Sequence, residues 1–345
     1  MQPILFVINR LSVGGAERLA VDELHELHRR GIEAHVATLY PEGLSSLLGE
    51  LKIPKHCIHQ HVGFFALFSL MRSLKPRAVI CHLWYANTVG RVIASLAGVK
   101  NIIVFEHNVY DQVKSKKQFF FDRLLQRLAR RIIAVSEPVR ASLVQHDIEA
   151  RRIMVIHNAI DVERYKTAEA ADVISLFDLP KDAYIVLAVG RLTRQKGFDV
   201  LINALPHLPE RTQVILFGMG EEEQTLRNLA HTLGVAKRVH FGGVSKEIPA
   251  MLKAAHCLAM PSRWEGEPIL LLEALAAGVP VVGSDIGSLR ELITEGVNGY
   301  LAPVDDAQAF AGALLRAMGA DGVKLSLPAN RTIEHHIDSL LSVLT

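Results

Sequence analysis

Two cationic residues lie in a short loop after an apolar segment. Tyr184–Val189 is followed by Gly190-Arg191-Leu192-Thr193-Arg194-Gln195-Lys196-Gly197. Arg191 and Lys196, at the carboxyl end of a strand, are suited to neutralise a diphosphate, because ligands bind at that end of doubly wound sheets. The spacing is not that of a Walker A loop, which needs Gly-x4-Gly-Lys-Ser/Thr. Solvated loop charges are the alternative interpretation.

Two carboxylates flank the start of a predicted helix. The helix runs from Pro268, at its first position, to Ala277, and Gly278 follows its end. It is apolar nearly all round and should therefore be buried. Glu273, inside it, must then be paired or bind something, while Glu265 precedes N-terminal amides that suit an anion. The alternative is a capped buried helix in which Glu273 bonds to neighbouring backbone.

Two further segments carry weaker signals. Gly14-Gly15, between the first strand and its helix, would let the backbone approach a ligand closely. The Gly-x-Gly-x-x-Gly spacing is missing, so nicotinamide binding gains little support. His107, in Glu106-His107-Asn108, follows a predicted strand, although a single histidine is more often structural.

Histidines and basic residues form two other clusters. In a strand, Cys57, His59 and His61 would share one face and could ligate a metal, but no carboxylate or cysteine pair accompanies them, so no metal site is predicted. Lys114, Lys116 and Lys117 precede Phe119–Phe121, and Arg123, Arg127, Arg130 and Arg131 follow. This segment either lies on anionic lipid headgroups or forms a solvated helix with its phenylalanines in the core.

The elements that position these residues alternate between apolar strands, loops and helices, which predicts an α/β fold with parallel sheets. The first helix is predicted over Ala16–Arg30. The first series of strands is Pro3–Asn9, Glu33–Leu39, Ala78–His82, Asn101–Phe105, Arg131–Val135 and Ile153–Ile156. The second series is Tyr184–Val189, Gln213–Phe217, Val239–Phe241, Cys257–Pro261 and Val279–Gly283.

The two series open with similar apolar sequences, which indicates a duplicated α/β unit. The polar segment 161–180 is predicted to link them. The amphipathic helix Ile333–Leu344 has no following strand and is expected to pack back onto another element. The predicted domains are 1–165 with the terminal helix 331–345, and 166–330.

Composition limits the classes of function. The chain has 345 residues, 50% apolar and 21% charged, which excludes a disordered or fibrous protein. The longest apolar run, near Gly63–Met71, is too short to span a membrane, and residues 1–10 resemble a strand rather than a secretory signal. Three scattered cysteines fit a reducing compartment, so a cytoplasmic protein is predicted.

Charge divides the chain. Residues 1–160 hold 21 Lys/Arg against 13 Asp/Glu, a net +8, and the remainder holds 17 against 23, a net −6. The first half is therefore expected to meet an anionic surface or substrate. Aromatic residues make up 6% of the chain, and no basic tract is interleaved with them, which disfavours nucleic acid as a partner.

Taken together, these motifs resemble those of the retaining GT-B glycosyltransferases of family 4 over essentially the whole chain. The motifs are Gly14–Arg18, His107-Asn108, Val135-Ser136, His157–Asp161, Val189–Leu192 with Lys196-Gly197, the pair Glu265 and Glu273, and the run Gly278–Gly299. The resemblance implies two Rossmann-like domains that face each other across a cleft, with the last helix crossing back to the first.

The resemblance also implies a role for each residue. Arg191 and Lys196 would neutralise the diphosphate of a sugar nucleotide, Glu273 would accept from the ribose hydroxyls, and His107 would reach a hydroxyl of the donor sugar. The implied catalytic residues are His107, Glu265, Arg191 and Lys196. The implied donor-binding residues are Gly14, Gly15, Gly190, Arg191, Lys196, Val244, Glu265, Gly266, Glu267, Pro268, Ile269 and Glu273. No cofactor and no metal are expected.

The substrate is left open by the sequence. Val244-Ser245-Lys246 lacks an aspartate that could pair with a guanine edge, which favours UDP over GDP. Glu267 departs from the apolar or aromatic residue usual in the family. A GDP-mannose-dependent mannosyltransferase, a sugar-nucleotide epimerase, a nicotinamide dehydrogenase and a non-catalytic scaffold at the membrane are the alternatives. The expected acceptor is a hydroxyl of a glycan or of a lipid-linked molecule, in envelope or surface polysaccharide synthesis. The protein is expected to bind peripherally to the inner membrane leaflet through Lys114, Lys116 and Lys117.

Overall fold

The computed structural model describes residues 2–12, 14–40, 53–58, 63–109, 114–319 and 327–344. The chain forms two compact units: unit 1 contains Met1–Ile160 and Ala329–Thr345, and unit 2 contains Asp161–Pro328. Each unit has its own parallel sheet and hydrophobic core. The prediction of two Rossmann-like α/β units is therefore confirmed.

Unit 1 contains a seven-stranded parallel sheet in the order β3-β2-β1-β4-β5-β6-β7. Its strands are β1 (Ile4–Ile8), β2 (Ala34–Thr38), β3 (Lys55–Cys57), β4 (Ala78–His82), β5 (Ile102–Glu106), β6 (Arg131–Ala134) and β7 (Ile153–Val155). β1 pairs with both β2 and β4, so the chain leaves β1 towards one side and returns on the other. Ligands bind at such a reversal of strand order, outside the carboxyl ends of the strands.

The helices of unit 1 cover this sheet. They are α1 (Gly15–Arg29), α2 (Gly63–Leu74), α3 (Trp84–Leu96), α4 (Lys116–Leu125), α5 (Glu137–Gln145) and the terminal α14 (Ile333–Leu344). Helix α14 packs against α1, where Arg29 Nη2 lies 2.9 Å from Glu334 Oε1 and Arg30 pairs with Asp338. The prediction that the terminal helix packs back onto the first half is confirmed.

Unit 2 contains a six-stranded parallel sheet in the order β10-β9-β8-β11-β12-β13. Its strands are β8 (Tyr184–Val189), β9 (Thr212–Phe217), β10 (Val239–Gly243), β11 (Cys257–Met260), β12 (Val281–Ser284) and β13 (Gly299–Ala302). The order is again that of a Rossmann fold, with its reversal between β8 and β11. The loops that follow these two strands contain Lys196 and Glu265.

The helices of unit 2 include two that lie in the predicted linker. They are α6 (Val162–Lys166), α7 (Val173–Leu176), α8 (Phe198–Ala204), α9 (Glu223–Thr232), α10 (Ile248–Ala254), α11 (Ile269–Ala277), α12 (Gly287–Arg290) and α13 (Ala307–Met318). Helices α6 and α7 lie in the segment 161–180 that was predicted as a linker, and that prediction is wrong. Each is short, but Tyr165 and Val173 are buried, so tertiary packing stabilises turns too short to show a periodic pattern.

The predicted strands agree with the observed ones to within about two residues at each end, and the helix after Glu265 begins one residue later than predicted. Pro268 is the N-cap of α11 rather than its first residue, since its ψ of 118° is extended, and Gly278 ends the helix with φ 82°. Strands β3 and β13 were not in the predicted series, because three and four residues, the latter including Gly299, carry little strand signal. In the described part of the chain, no helix is both long and apolar enough to span a bilayer.

Candidate active site

The loop after β8 lies against the end of β11 in unit 2. Arg194–Lys196 form a 3-10 turn, and Gly197 follows with φ 64°. A Cβ atom at Gly197 would overlap the carbonyl oxygen of Pro261, which directly follows β11. Glycine is therefore required here both for its backbone conformation and for the close approach of the two loops.

Lys196 and Glu265 meet where these loops converge. Nζ of Lys196 lies 2.5 Å from Oε1 of Glu265, and Oγ of Ser262 donates to the same oxygen at 2.8 Å. Glu265 is 8% exposed and the Lys196 side chain 19%. A buried carboxylate is costly unless it is paired, so the lysine offsets this cost and is itself held at the carboxyl edge of the sheet.

Arg191 is exposed on the same loop. Its guanidinium donates to Oε1 of Gln195 at 3.4 Å, and Nε2 of Gln195 donates to the carbonyl oxygen of Trp264 at 2.9 Å. These bonds connect the loop after β8 to the residue before Glu265. The edge of the sheet thus holds two cationic side chains beside one carboxylate: Lys196 is paired with Glu265, and Arg191, in solvent, carries the net positive charge that a diphosphate could meet.

Helix α11 begins beside this pair. Pro268 and Ile269 are buried, as are Gly266 and Glu267, and the amides of the first turn follow Pro268, as at helix ends that bind anions in other proteins. Glu273, one turn further, accepts a hydrogen bond from the Tyr165 hydroxyl at 2.5 Å. One of its neighbours is thus a side chain of α6.

Two other predicted residues lie at the same edge of the unit 2 sheet. Val244 follows β10 directly and is 43% exposed, so an apolar side chain faces solvent at the carboxyl end of a strand. Gly190 follows β8, and Gly218 after β9 approaches it so closely that a Cβ there would overlap the Gly190 carbonyl oxygen. A Cβ atom at Gly190 would itself meet the aliphatic part of the Lys196 side chain at 3.1 Å, so glycine allows the loops to approach closely here.

In unit 1, Gly14 and Gly15 open the helix that follows β1. Gly14 is the N-cap of α1 with extended backbone (φ −172°, ψ 160°), and Gly15 is the first helical residue. A Cβ at Gly14 would meet the carboxylate of Glu17, a flexible side chain. The fifteen-residue helix therefore offers its N-terminal amides at the reversal point of the sheet, as an anion site needs.

His107 follows β5 at the carboxyl edge of the same sheet. Its Nε2 lies 3.0 Å from Nδ1 of His82, the last residue of β4. Burial and the adjacent His82 lower the pKa of His107 to about 3, although Glu23 opposes this shift. His107 is thus a neutral imidazole at pH 7, able to donate through one nitrogen and accept through the other.

Lys114 does not lie on the surface, and its predicted contact with lipid is wrong. Its ammonium is 3.0 Å from Glu106 and 2.8 Å from Asp122, which also accepts from Arg91 at 2.7 Å. The Lys114 side chain is 2% exposed. It compensates two buried carboxylates next to His107, whereas Lys116, two residues on, is exposed at the start of α4.

Comparisons with known proteins identify the family. Residues 13–164 match the family described as Glycosyltransferase Family 4, and residues 175–327 match Glycosyl transferases group 1. An uncharacterised glycosyltransferase of Methanocaldococcus jannaschii is 32% identical over 266 residues, which cover 70% of this chain and 68% of that protein. The chain belongs to this glycosyltransferase family.

Other family members resemble it over most of the chain. A UDP-Gal:alpha-D-GlcNAc-diphosphoundecaprenol alpha-1,3-galactosyltransferase of Escherichia coli is 27% identical over 268 residues, 74% of this chain and 69% of that protein. Several further relatives match over about half of their own length. The structure of Anabaena HepE in complex with UDP and glucose has a TM-score of 0.89 at 23% identity and covers 100% of this chain and 99% of that chain. The GT-B fold is thus shared.

The predicted residues of this glycosyltransferase family member fall into two groups. Gly14, Gly15 and His107 belong to unit 1, and the other predicted site residues belong to unit 2. Within unit 2, the structure brings Lys196 and Glu265 into contact. His59 and His61 of the rejected metal cluster lie outside the described residues.

Sequence reasoning missed several partners of these residues. They are Ser262, Tyr165, His82, Glu23 and His336. Glu23 did leave a signal, because it lies between Leu19 and Leu27 on the apolar face of α1, where a charge is unusual. The others gave none: Tyr165 comes from a segment without a period, and His82 is one polar residue at the end of an apolar strand.

Proposed function

We propose that the protein is a retaining hexosyltransferase that moves a hexose or N-acetylhexosamine from a UDP-sugar to a hydroxyl of a glycan or lipid-linked acceptor. The observation that carries the proposal is the contact of Lys196 with Glu265 beside the first turn of α11. A fixed cation, a helix N-terminus and an exposed arginine at one edge of a Rossmann sheet form a site for a nucleoside diphosphate.

The reaction breaks the bond between the anomeric carbon and the diphosphate oxygen. Negative charge grows on the leaving diphosphate while an oxocarbenium-like centre forms at the sugar. Arg191 and Lys196 stabilise that charge, and the buried pairing of Lys196 means that its orientation is fixed before the substrate arrives. With this charge supplied by side chains, the transfer is proposed to need no metal ion, so a chelator such as EDTA should leave the rate unchanged.

UDP is the proposed nucleotide. Support comes from the bound UDP named for the similar Anabaena structure and the UDP-Gal named for the Escherichia coli relative. The exposed Val244 offers the base an apolar contact and no carboxylate. Glu273, one turn inside α11 and oriented by Tyr165, is the proposed acceptor for the ribose hydroxyls.

The acceptor is proposed to be lipid-linked and reached at an anionic membrane surface. Lys116, Lys117, Phe120, Phe121 and Leu124 of α4 are exposed, which gives the helix a basic and an apolar surface in solvent. Phe119, in contrast, stacks on His146 with ring centroids 3.6 Å apart. The relative named above acts on a diphosphoundecaprenol, which is consistent with such an acceptor.

A thermal-shift panel with UDP-, GDP- and ADP-sugars tests the nucleotide. A ligand that binds only the folded protein raises the melting temperature by mass action, so UDP-sugars should stabilise the protein most. Lys196→Ala should lose the shift, while Lys237→Ala, an exposed lysine at the amino end of β10, should keep it. Stabilisation by GDP-mannose alone would favour the mannosyltransferase alternative, and no shift with any sugar nucleotide would reject the proposal.

A further inference from the structure

A buried row of polar side chains lies behind His107 in unit 1. Nε2 of His107 is 3.0 Å from Nδ1 of His82, and Nε2 of His82 is 3.2 Å from Oε2 of Glu23. The other oxygen of Glu23 is 2.7 Å from Nε2 of His336 on α14. The side chains of Glu23, His82 and His336 are 0% exposed. Because solvent does not reach them, the hydrogen on each ring nitrogen must be donated to another protein group.

His336 carries a hydrogen on each nitrogen. Its Nδ1 is 2.7 Å from the carbonyl oxygen of His157, and its Nε2 contacts Glu23. Burial alone would raise the pKa of Glu23, but His82 and His336 lower it to about 2, so the carboxylate is ionised. Because a carbonyl and a carboxylate only accept, both nitrogens of His336 donate, and an imidazolium balances the buried charge of Glu23.

The charge on Glu23 also orients the hydrogen of His82. Among the described residues, Oε2 of Glu23 and Nε2 of His82 form no hydrogen bond of good geometry, either with each other or with another group, although the two atoms lie only 3.2 Å apart. At this distance the carboxylate would repel a lone pair on Nε2 and attracts an N–H there, so Nε2 is the protonated nitrogen of His82. A second buried cation would be uncompensated next to the His336 imidazolium, so His82 is neutral and its Nδ1 accepts. His107 must then donate through Nε2, which leaves Nδ1 as its acceptor nitrogen.

Aromatic packing holds this arrangement in place. The ring of His82 stacks between Phe6 and Phe105, with centroid separations of 5.8 Å and 4.6 Å and interplanar angles of 10° and 11°. His107 continues the stack on His82 at 5.2 Å. The imidazole of His82 therefore cannot tilt away from Glu23 or His107 without disturbing the core.

We propose that Glu23 and His82 are positioning residues that hold His107 in its Nε2–H tautomer, so that Nδ1 of His107 accepts a hydrogen bond from a hydroxyl of the donor sugar. The contact with sugar rests on the function proposed above, whereas the tautomer does not. Helix α14 contributes the positive charge that keeps Glu23 ionised. Partners of this kind fix the tautomer of a functional histidine in other proteins.

Nuclear magnetic resonance tests the tautomer without any substrate. Long-range proton–nitrogen correlation spectra of protein labelled with 15N at histidine distinguish Nε2–H from Nδ1–H, and His107→Asn assigns the signal. The wild type should show Nε2–H at His107. Glu23→Gln and His82→Phe should give a mixture or the other tautomer. His82→Asn keeps an oxygen near the place of Nδ1 and should retain Nε2–H.

The chain offers a matched control. Glu33, His35 and His56 repeat the same contacts at the edge of the sheet, with His35 Nε2 3.1 Å from Glu33 and Nδ1 3.0 Å from His56 Nε2. His35→Phe should leave the His107 signal unchanged. Two results would overturn the proposal. One is an Nδ1–H tautomer of His107 in the wild type. The other is an unaltered His107 signal in both Glu23→Gln and His82→Phe when these variants keep the melting temperature of the wild type.

Kinetics then test the role of the tautomer. His82→Phe should lower kcat about 10–100-fold, the usual cost of losing such a partner, with little change in KM for the UDP-sugar. His82→Asn should keep most of the wild-type kcat. Full activity together with a changed tautomer would overturn the positioning role. A wild type that transfers no sugar from any nucleotide would instead reject the proposed function, and the tautomer would still be decided by the spectra.

Discussion

Lys196 and Glu265 are 69 residues apart in the chain and meet in unit 2, with Nζ 2.5 Å from Oε1. Each comes from the loop that follows a strand at the reversal of the six-stranded sheet, β8 for the lysine and β11 for the glutamate. The contact places a cation against a buried carboxylate, so a change at either residue alters the environment of the other. Arg191 has no such constraint, because it is exposed.

Lys196→Ala is expected to reduce both activity and stability. Transfer should fall by about two to three orders of magnitude, the scale of losing one electrostatic stabiliser. The melting temperature should also fall, because Glu265 stays buried with Ser262 as its remaining side-chain donor among the described residues. Turnover assays with a labelled UDP-sugar and thermal unfolding measure the two effects, and near-wild-type turnover would reject the diphosphate role.

Arg191→Ala separates activity from stability. The side chain is exposed, so the melting temperature should stay unchanged while transfer falls by about two to three orders of magnitude. Arg194→Ala, an exposed arginine of the same loop, is the matched control and should retain activity. If both variants lose the same amount of activity, the effect comes from the overall charge of the loop rather than from Arg191.

Lys114→Ala is expected to destabilise the protein. Removal of the ammonium leaves Glu106 and Asp122 close together and buried, and breaking such a pair costs about 3–5 kcal/mol. Urea unfolding should therefore show a lower free energy of unfolding. Lys117→Ala, exposed three residues later, should change it by less than about 0.5 kcal/mol. Equal stability of the two variants would contradict the buried network.

Stability should fall with acid in two overlapping ranges. The folded protein lowers the pKa of His107 from 6.5 to about 3. The contribution of this histidine to the free energy of unfolding is therefore complete above pH 6.5 and is lost as pH falls towards 3. The pKa of Glu23 is lowered from 4.5 to about 2, so its contribution is lost between those values. The free energy of unfolding in urea should be lower at pH 5 than at pH 7.5. This decrease should be about 2 kcal/mol larger in the wild type than in His107→Asn, because one pKa unit is worth about 1.4 kcal/mol. Equal pH dependence in the two proteins would contradict this assignment.

Membrane binding is expected to depend on Lys116 and Lys117. Each basic residue near an anionic surface contributes about 1 kcal/mol, so Lys116→Gln with Lys117→Gln should reduce flotation with phosphatidylglycerol vesicles at low salt. High salt should reduce binding of the wild type, and phosphatidylcholine vesicles should not bind it. The control is the double variant Lys55→Gln with Lys100→Gln, which removes the same charge from exposed positions elsewhere in unit 1. This variant should float with the vesicles as the wild type does. A wild type that stays in the soluble fraction at low salt would favour a soluble acceptor.

Most of the fold could be predicted from local patterns. Tyr184–Val189 and Ala78–His82 agree with their strands to the residue, because strands covered on both faces have continuous apolar sequences bounded by loops. The segment 161–180 was misjudged because α6 has a single buried aromatic residue and no amphipathic period. The packing that stabilises α6 comes from α10 and α11, which lie far along the chain from it.

The sequence by itself determined which residues lie at the carboxyl ends of parallel strands. The spacing of apolar residues and the places where loops interrupt them are local properties of the chain, so they can be recognised without the tertiary structure. Arg191, Lys196, Glu265 and His107 could therefore be identified as candidates. Only the tertiary structure decided their partners. Lys114 was expected at the surface but is buried between two carboxylates, and Glu23 lies with His82 and His336 although 313 residues separate it from the latter. Burial and pairing depend on which distant segments the fold brings together, and they determine the charge that each ionisable group carries.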